Sequence, residues 1–196
     1  VLRQFSPRFQ RPLITIQAGE YYVTTRDEVI ATTLGSCVAV CIRDRERGIG
    51  GMNHFMLPGD DCAPPAMAAS PSARYGMYAM ELVIGGIVKS GGGRSSLEAK
   101  VFGGGHMLRT APASGVSVPR ANLDFVRQFL SLEDIPLASY DVGGEFGRKV
   151  IYLPGSGQAW VKRLGQPLRT GELERERRLC RKASEAAQKE DLTIFD

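Results

Sequence analysis

Val38-Ala39-Val40-Cys41-Ile42 and Gly50-Gly51-Met52-Asn53-His54-Phe55-Met56-Leu57, separated by a charged turn at residues 43–48, decide the reading of this chain. The first is an unbroken apolar run of strand length, the pattern of a buried strand. The second has the same length scale and is closed by Pro58-Gly59. Together they predict a β-hairpin at the centre of the fold.

Upstream of it, residues 29–34 are β-branched and apolar and are broken by Gly35-Ser36. Leu13-Ile14-Thr15-Ile16 begins another strand, and residues 20–25 are expected to continue it or pair with it. Residues 1–12 carry Arg3, Arg8 and Arg11 with no acidic residue, and read as a flexible basic arm. Downstream, residues 59–71 read as a loop. Tyr75, Tyr78, Ala79, Leu82, Val83 and Ile87 recur at helical spacing, which predicts an amphipathic helix over 72–90 ended by Gly91-Gly92-Gly93. A strand is expected at 97–102, followed by Gly103-Gly104-Gly105. Asn122 is expected to cap a second helix that buries Phe125, Val126, Phe129 and Leu130. Strands at 137–142, 149–153 and 158–164 follow, the last two joined by a turn at Gly155-Ser156-Gly157.

The sum is eight or nine strands and two core helices. It predicts an α/β fold of the α+β type: a sandwich of mostly antiparallel sheets with two packed helices, spanning residues 13–165. Residues 166–196 read as a charged helical tail with a thin stripe of Leu173, Cys180 and Ala187.

Composition limits the classes of function. The chain has 196 residues, 43% of them hydrophobic, enough to bury a core. No run approaches the eighteen or so apolar residues of a membrane span, and the N-terminal residues contain no secretory h-region. A net charge of +4 is too weak to argue for nucleic acid. The four cysteines, Cys37, Cys41, Cys62 and Cys180, have no framework spacing and read as thiols of a cytoplasmic protein. Cys37 and Cys41 lie roughly 13 Å apart along a strand, beyond the roughly 7 Å that a disulfide spans. Cys37, Cys41, His54 and His106 make only a weak metal set, so no metal is expected. Gly103-Gly104-Gly105 lacks the lysine and Ser/Thr of a phosphate loop and reads as a tight turn.

Cys37 and His54 carry the candidate chemistry. Each alone is compatible with a core role. Together they have the makings of a nucleophile and its base, because a thiolate rather than a thiol attacks carbonyl carbon, and an imidazole in contact removes the proton. The same imidazole can return that proton to a departing amine. A third group must orient the ring. Thr32 and Thr33 are candidates, whereas Asn53, next to His54 on a strand, points to the opposite face. Gly35 and Ser36 leave room for backbone N–H groups to converge near the sulfur and hold an oxyanion.

Leu34-Gly35-Ser36-Cys37-Val38-Ala39-Val40-Cys41 followed by Gly51-Met52-Asn53-His54-Phe55-Met56-Leu57-Pro58 closely resembles the CheD family of chemoreceptor glutamine deamidases. The resemblance continues through Tyr75-Gly76, Lys100-Val101-Phe102-Gly103-Gly104, Asp141-Val142-Gly143-Gly144, Gly147-Arg148-Lys149-Val150 and residues 157–164. It implies an α/β sandwich related to cysteine-dependent toxin deamidases. It implies hydrolysis of selected glutamines to glutamates on the cytoplasmic helices of methyl-accepting chemotaxis receptors, a protein-glutamine glutaminase activity that needs no cofactor. The family cysteine falls on Cys37, the histidine on His54, and a threonine shortly before the cysteine completes the set. Thr32 is preferred to Thr33, since strand alternation puts the two on different faces. The competing expectation is a regulatory protein whose main role is binding receptors and the CheC phosphatase.

Overall fold

The computed structural model describes residues 1–57, 71–106 and 117–164, with Arg178 alone beyond them. The expected loop at 59–71 therefore lies almost wholly outside the described residues, as does the expected helical tail apart from Arg178.

Strand β5 (Val38–Asp44) runs antiparallel to β6 (Gly50–Phe55) on one side and to β7 (Leu97–Gly103) on the other, so residues 38–42 and 50–57 do supply the two strands of a hairpin. Its turn is organised by Asp44, whose carboxylate accepts from the N–H groups of Glu46 (2.8 Å), Arg47 (3.1 Å) and Gly93 (2.8 Å). Strands β3 (Tyr21–Thr24) and β8 (Leu137–Val142) complete this sheet in the order β3-β6-β5-β7-β8. A second five-stranded sheet runs β1 (Leu2–Ser6), β2 (Arg11–Thr15), β4 (Val29–Leu34), β9 (Gly147–Leu153), β10 (Gln158–Leu164). All pairings are antiparallel except β2 with β4 and β7 with β8. Helices α1 (Pro71–Lys89) and α2 (Val118–Leu132) lie on the face of the β5 sheet that is turned away from the second sheet.

The β5 sheet is thus covered on both faces, and this is why β5 and β6 read as continuous buried runs. Alternation distributes their side chains between two cores. Val38, Val40, Ile42 and Phe55 pack with Met80, Ile84 and Ile87 of α1 and with Phe125 and Phe129 of α2. Cys37, Ala39, Cys41 and Met52 pack with Ile14, Ile30, Leu34, Val150 and Tyr152 of the second sheet. Helix α1 ends where the glycines predict: Gly91 takes φ 95°, and Gly92 N–H bonds back to the Ile87 carbonyl at 2.9 Å. No helix among the described residues is long and apolar enough to cross a membrane.

Three sequence readings differ from the structure. Residues 2–6 form β1, paired with β2, instead of belonging to a flexible arm. Arg3 is held by Glu28 (2.6 Å) and the Tyr22 hydroxyl (3.1 Å), and Phe9 packs on Trp160 at 5.0 Å. Strand β3 neither continues β2 nor pairs with it; it pairs with β6 in the other sheet. Asn122 is not a cap. Helix α2 starts earlier, behind Ser117 with a proline in its first turn, and Asn122 is fully buried within it.

Asp44 gives a test of the hairpin turn. Burial alone would raise its carboxyl, but the bonds from Gly93 and Arg47 outweigh that and hold it well below the usual carboxylate range. A depressed folded value stabilises the fold above the unfolded value of about 4, and this is lost as pH falls through the folded value. Asp44→Asn is expected to lower the urea midpoint at pH 7, and its gap to wild type is expected to narrow as the pH is taken below about 4.

Candidate active site

Cys37 lies where the chain leaves one sheet for the other. β4 ends at Leu34, Gly35-Ser36 bends, and Val38 opens β5. Val38 sits opposite Phe55 and Ala39 opposite His54 in the β5–β6 ladder. Side chains two apart share a face, so Cys37, Ala39 and His54 all face the second sheet, with Cys37 diagonally across the ladder from the imidazole. Cys37 is fully buried and His54 is buried.

Thr32 comes from the opposite sheet. It is buried, while Thr33 next to it is exposed, as alternation requires. The Thr32 hydroxyl lies 2.7 Å from His54 Nδ1 and 2.9 Å from the Ile16 carbonyl oxygen. A hydroxyl has one proton, and a carbonyl can only accept, so that proton goes to Ile16. The oxygen then accepts from Nδ1–H. This fixes the neutral tautomer of His54 and leaves Nε2 as its basic nitrogen. Asn53 points the other way, toward the helices: its Oδ1 accepts from Val40 N–H (3.0 Å) and its Nδ2 donates to the Ala79 carbonyl (2.9 Å).

The turn before the sulfur is held by its carbonyls. Gly105 N–H donates to Gly35 O (2.9 Å), Asn122 Nδ2 to Ser36 O (3.2 Å), and Gly104 N–H to Cys37 O (2.7 Å). In a trans peptide the C=O and the following N–H point in opposite directions. Fixing the carbonyls of Gly35 and Ser36 therefore aims the N–H groups of Ser36 and Cys37 away from the glycine loop and α2. The Ser36 hydroxyl contacts Met56 Sδ at 3.5 Å. Gly103-Gly104-Gly105 is thus more than a tight turn. Gly103 takes φ 106°, and a Cβ there would collide with the Cys37 carbonyl oxygen.

A second glycine pair supports the first. Gly143 N–H donates to Gly103 O (2.9 Å) and His106 N–H to Gly144 O (2.7 Å), with the His106 side chain exposed. Behind them Arg148, 1% exposed, donates from Nε (3.0 Å) and Nη2 (2.8 Å) to Asp141 Oδ1. Arg148 is opposite Leu34 in one sheet and Asp141 opposite Phe102 in the other, so this ion pair clasps the sheets beside the crossing. The guanidinium groups of Arg148 and Arg163 lie over the Phe146 ring, 4.5 and 4.7 Å from its centre. Sequence reasoning assigned no role to Arg148 or Asp141, although both lie in segments that carry the family resemblance.

Cys41 shares the face of Cys37 but lies inside the ladder, opposite Met52 and Lys100, and burial drives its thiol well above the ordinary range. It is a core residue. Among the described residues no group of three His, Cys, Asp or Glu side chains has the arrangement of a metal site.

The glycine lock has a direct test. Gly103→Ala combines a left-handed φ with a backbone collision, and is expected to cost about 1–3 kcal/mol in urea unfolding. Gly85→Ala, with open space around it, is the control.

A family model described as CheD chemotactic sensory transduction matches residues 56–163, beginning two residues after His54. Three relatives, each named "Probable chemoreceptor glutamine deamidase CheD", match nearly the whole chain. That of Paraburkholderia xenovorans (strain LB400) is 47% identical over 93% of this chain and 72% of its own length. That of Burkholderia orbicola (strain MC0-3) is 48% identical over 92% and 72%. That of Janthinobacterium sp. (strain Marseille) is 44% identical over 95% and 91%. A solved structure of Bacillus licheniformis YfiH overlaps 63% of this chain and 49% of that one, at a TM-score of 0.36 and 13% identity, too distant to inform the fold. On the family model and on these near full-length relatives, the chain belongs to the CheD family.

Proposed function

We propose that this protein hydrolyses the side-chain amides of selected glutamines to glutamates on the cytoplasmic helices of chemotaxis receptors, acting in the cytoplasm through a thioester on Cys37. The names of its relatives support the substrate class. The observation that carries the chemistry is the buried Thr32–His54 hydrogen bond, made across the two sheets on the face that also holds Cys37.

The roles follow from that arrangement. His54 Nε2 takes the thiol proton, and the thiolate attacks the carboxamide carbon. The N–H groups of Ser36 and Cys37 stabilise the oxyanion as negative charge builds on it. The C–N bond breaks as His54 returns the proton to the nitrogen, releasing ammonia and leaving a thioester. His54 then takes a proton from water, the resulting hydroxide attacks the thioester carbonyl, and the C–S bond breaks. The products are a glutamate side chain and the regenerated thiol. Thr32 keeps the proton on Nδ1, so that Nε2 carries the lone pair in both half-reactions.

The experiment is incubation of a receptor cytoplasmic fragment with enzyme, followed by ammonia measurement and site-by-site mass spectrometry for amide-to-acid conversion. Wild type is expected to convert discrete glutamines. Cys37→Ala is expected to convert none while keeping its thermal unfolding profile; full activity in that variant would falsify the assignment. Thr32→Val keeps the side-chain shape but loses the hydroxyl, and is expected to lower kcat by about 10²-fold, the scale of a disabled general base. Thr33→Val, on the exposed side of the same strand, is expected to leave kcat unchanged.

A further inference from the structure

Asn122 is 0% exposed on a helix face otherwise made of Pro119, Phe125, Val126, Phe129 and Leu130. A primary amide in such a place is costly unless both of its ends are bonded. Both are. Oδ1 accepts from Leu57 N–H at 2.8 Å, and Nδ2 donates to Ser36 O at 3.2 Å. The amide has only one orientation that fits, because a backbone N–H can only donate and a carbonyl can only accept. Ser36 and Leu57 both lie outside the strands, so neither of these backbone groups is part of a sheet ladder. Ser36 precedes the thiol, and Leu57 comes three residues after the imidazole. One side chain therefore joins the segment carrying the nucleophile to the segment carrying the base. Leu123 beside it abuts Gly104, where an added Cβ would meet the leucine at 3.0 Å, so the same helix turn also backs the glycine loop.

We infer that Asn122 is a positioning residue of this site: its amide sets the Ser36–Cys37 peptide plane, and with it the direction of the Cys37 N–H, relative to the His54 segment. The inference rests on the deamidase reading above for its kinetic consequence, though not for its geometry. A purely structural amide would stabilise the helix on its sheet. A positioning amide controls the reactivity of the thiol at unchanged fold.

The test separates the two ends of the amide. In Asn122→Asp the carboxylate still accepts from Leu57 N–H, but its other oxygen faces the Ser36 carbonyl, acceptor against acceptor, and releases the turn. Asn122→Leu removes both bonds with an apolar side chain of similar size that suits a buried helix face. It stands in if the aspartate variant does not fold. Leu130→Ala, on the same helix within the apolar core, supplies a variant of reduced stability whose site is intact. All are measured well below their unfolding temperatures.

Two readouts are taken: kcat and KM for ammonia release from the receptor fragment, and the pH profile of Cys37 alkylation by iodoacetamide, followed peptide by peptide in mass spectrometry. Both Asn122 variants are expected to lose about 10²-fold in kcat, the scale of an ångström-sized misplacement, with KM unchanged and the alkylation profile moved to higher pH. Leu130→Ala is expected to keep kcat and the profile. Retention of both by the Asn122 variants overturns the inference, as does an equal loss in Leu130→Ala. If wild type releases no ammonia, the deamidase reading fails by itself, and the alkylation profile still decides the role of Asn122.

Discussion

The covering of β5 on both faces is the constraint on which the rest of the molecule depends. A strand alternates its side chains, and here each face is committed to a different core: Val38, Val40 and Ile42 to the helices, Cys37, Ala39 and Cys41 to the opposing sheet. A slip of one residue in register would send the thiol and the imidazole to the helix side and bring valines into the narrow space between sheets. The residues on the inter-sheet side are small. With Ala39 directly opposite His54, the second sheet comes near enough for Thr32 to bond the ring. Packing and site chemistry thus share one pattern.

That sharing explains what could be read in advance. The β5–β6 hairpin, both core helices and the separation of Thr32 and Thr33 onto opposite faces of β4 all follow from periodicity, which is local. The partition of strands between two sheets does not. Nothing near Tyr21–Thr24 records that it joins β6 instead of β2, because the choice of partner is made by residues distant in sequence. The glycine loop was legible only as a turn, since its function is exerted by backbone N–H groups, which have no residue signature. Asn122 looked like a cap because asparagine favours caps. The better start signal was Ser117 followed by Pro119, and the amide's real partners lie 65 and 86 residues away. Arg148 was silent for a related reason: its partner Asp141 belongs to the other sheet.

The two described cysteines share one face of the sheet but differ in their surroundings. Cys41 is surrounded by ladder and core, where burial penalises its thiolate. Cys37 faces the same layer four residues earlier, just before β5 begins, at a chain crossing where peptide groups are oriented by three outside donors instead of by a ladder. A site at the end of a strand can thus have fixed dipoles that a site in its middle spends on pairing.

Those three donors have a consequence for how the protein is made. The ribosome delivers the thiol, the threonine and the imidazole by residue 54, but the groups that hold the carbonyls of Gly35, Ser36 and Cys37 arrive only with residues 104, 105 and 122. Until that later chain has emerged and docked, Cys37 lacks the peptide orientation described above. Vectorial synthesis therefore places the ordering of this turn after the docking of α2, so a chain released before that point has the thiol, the threonine and the imidazole without their arrangement.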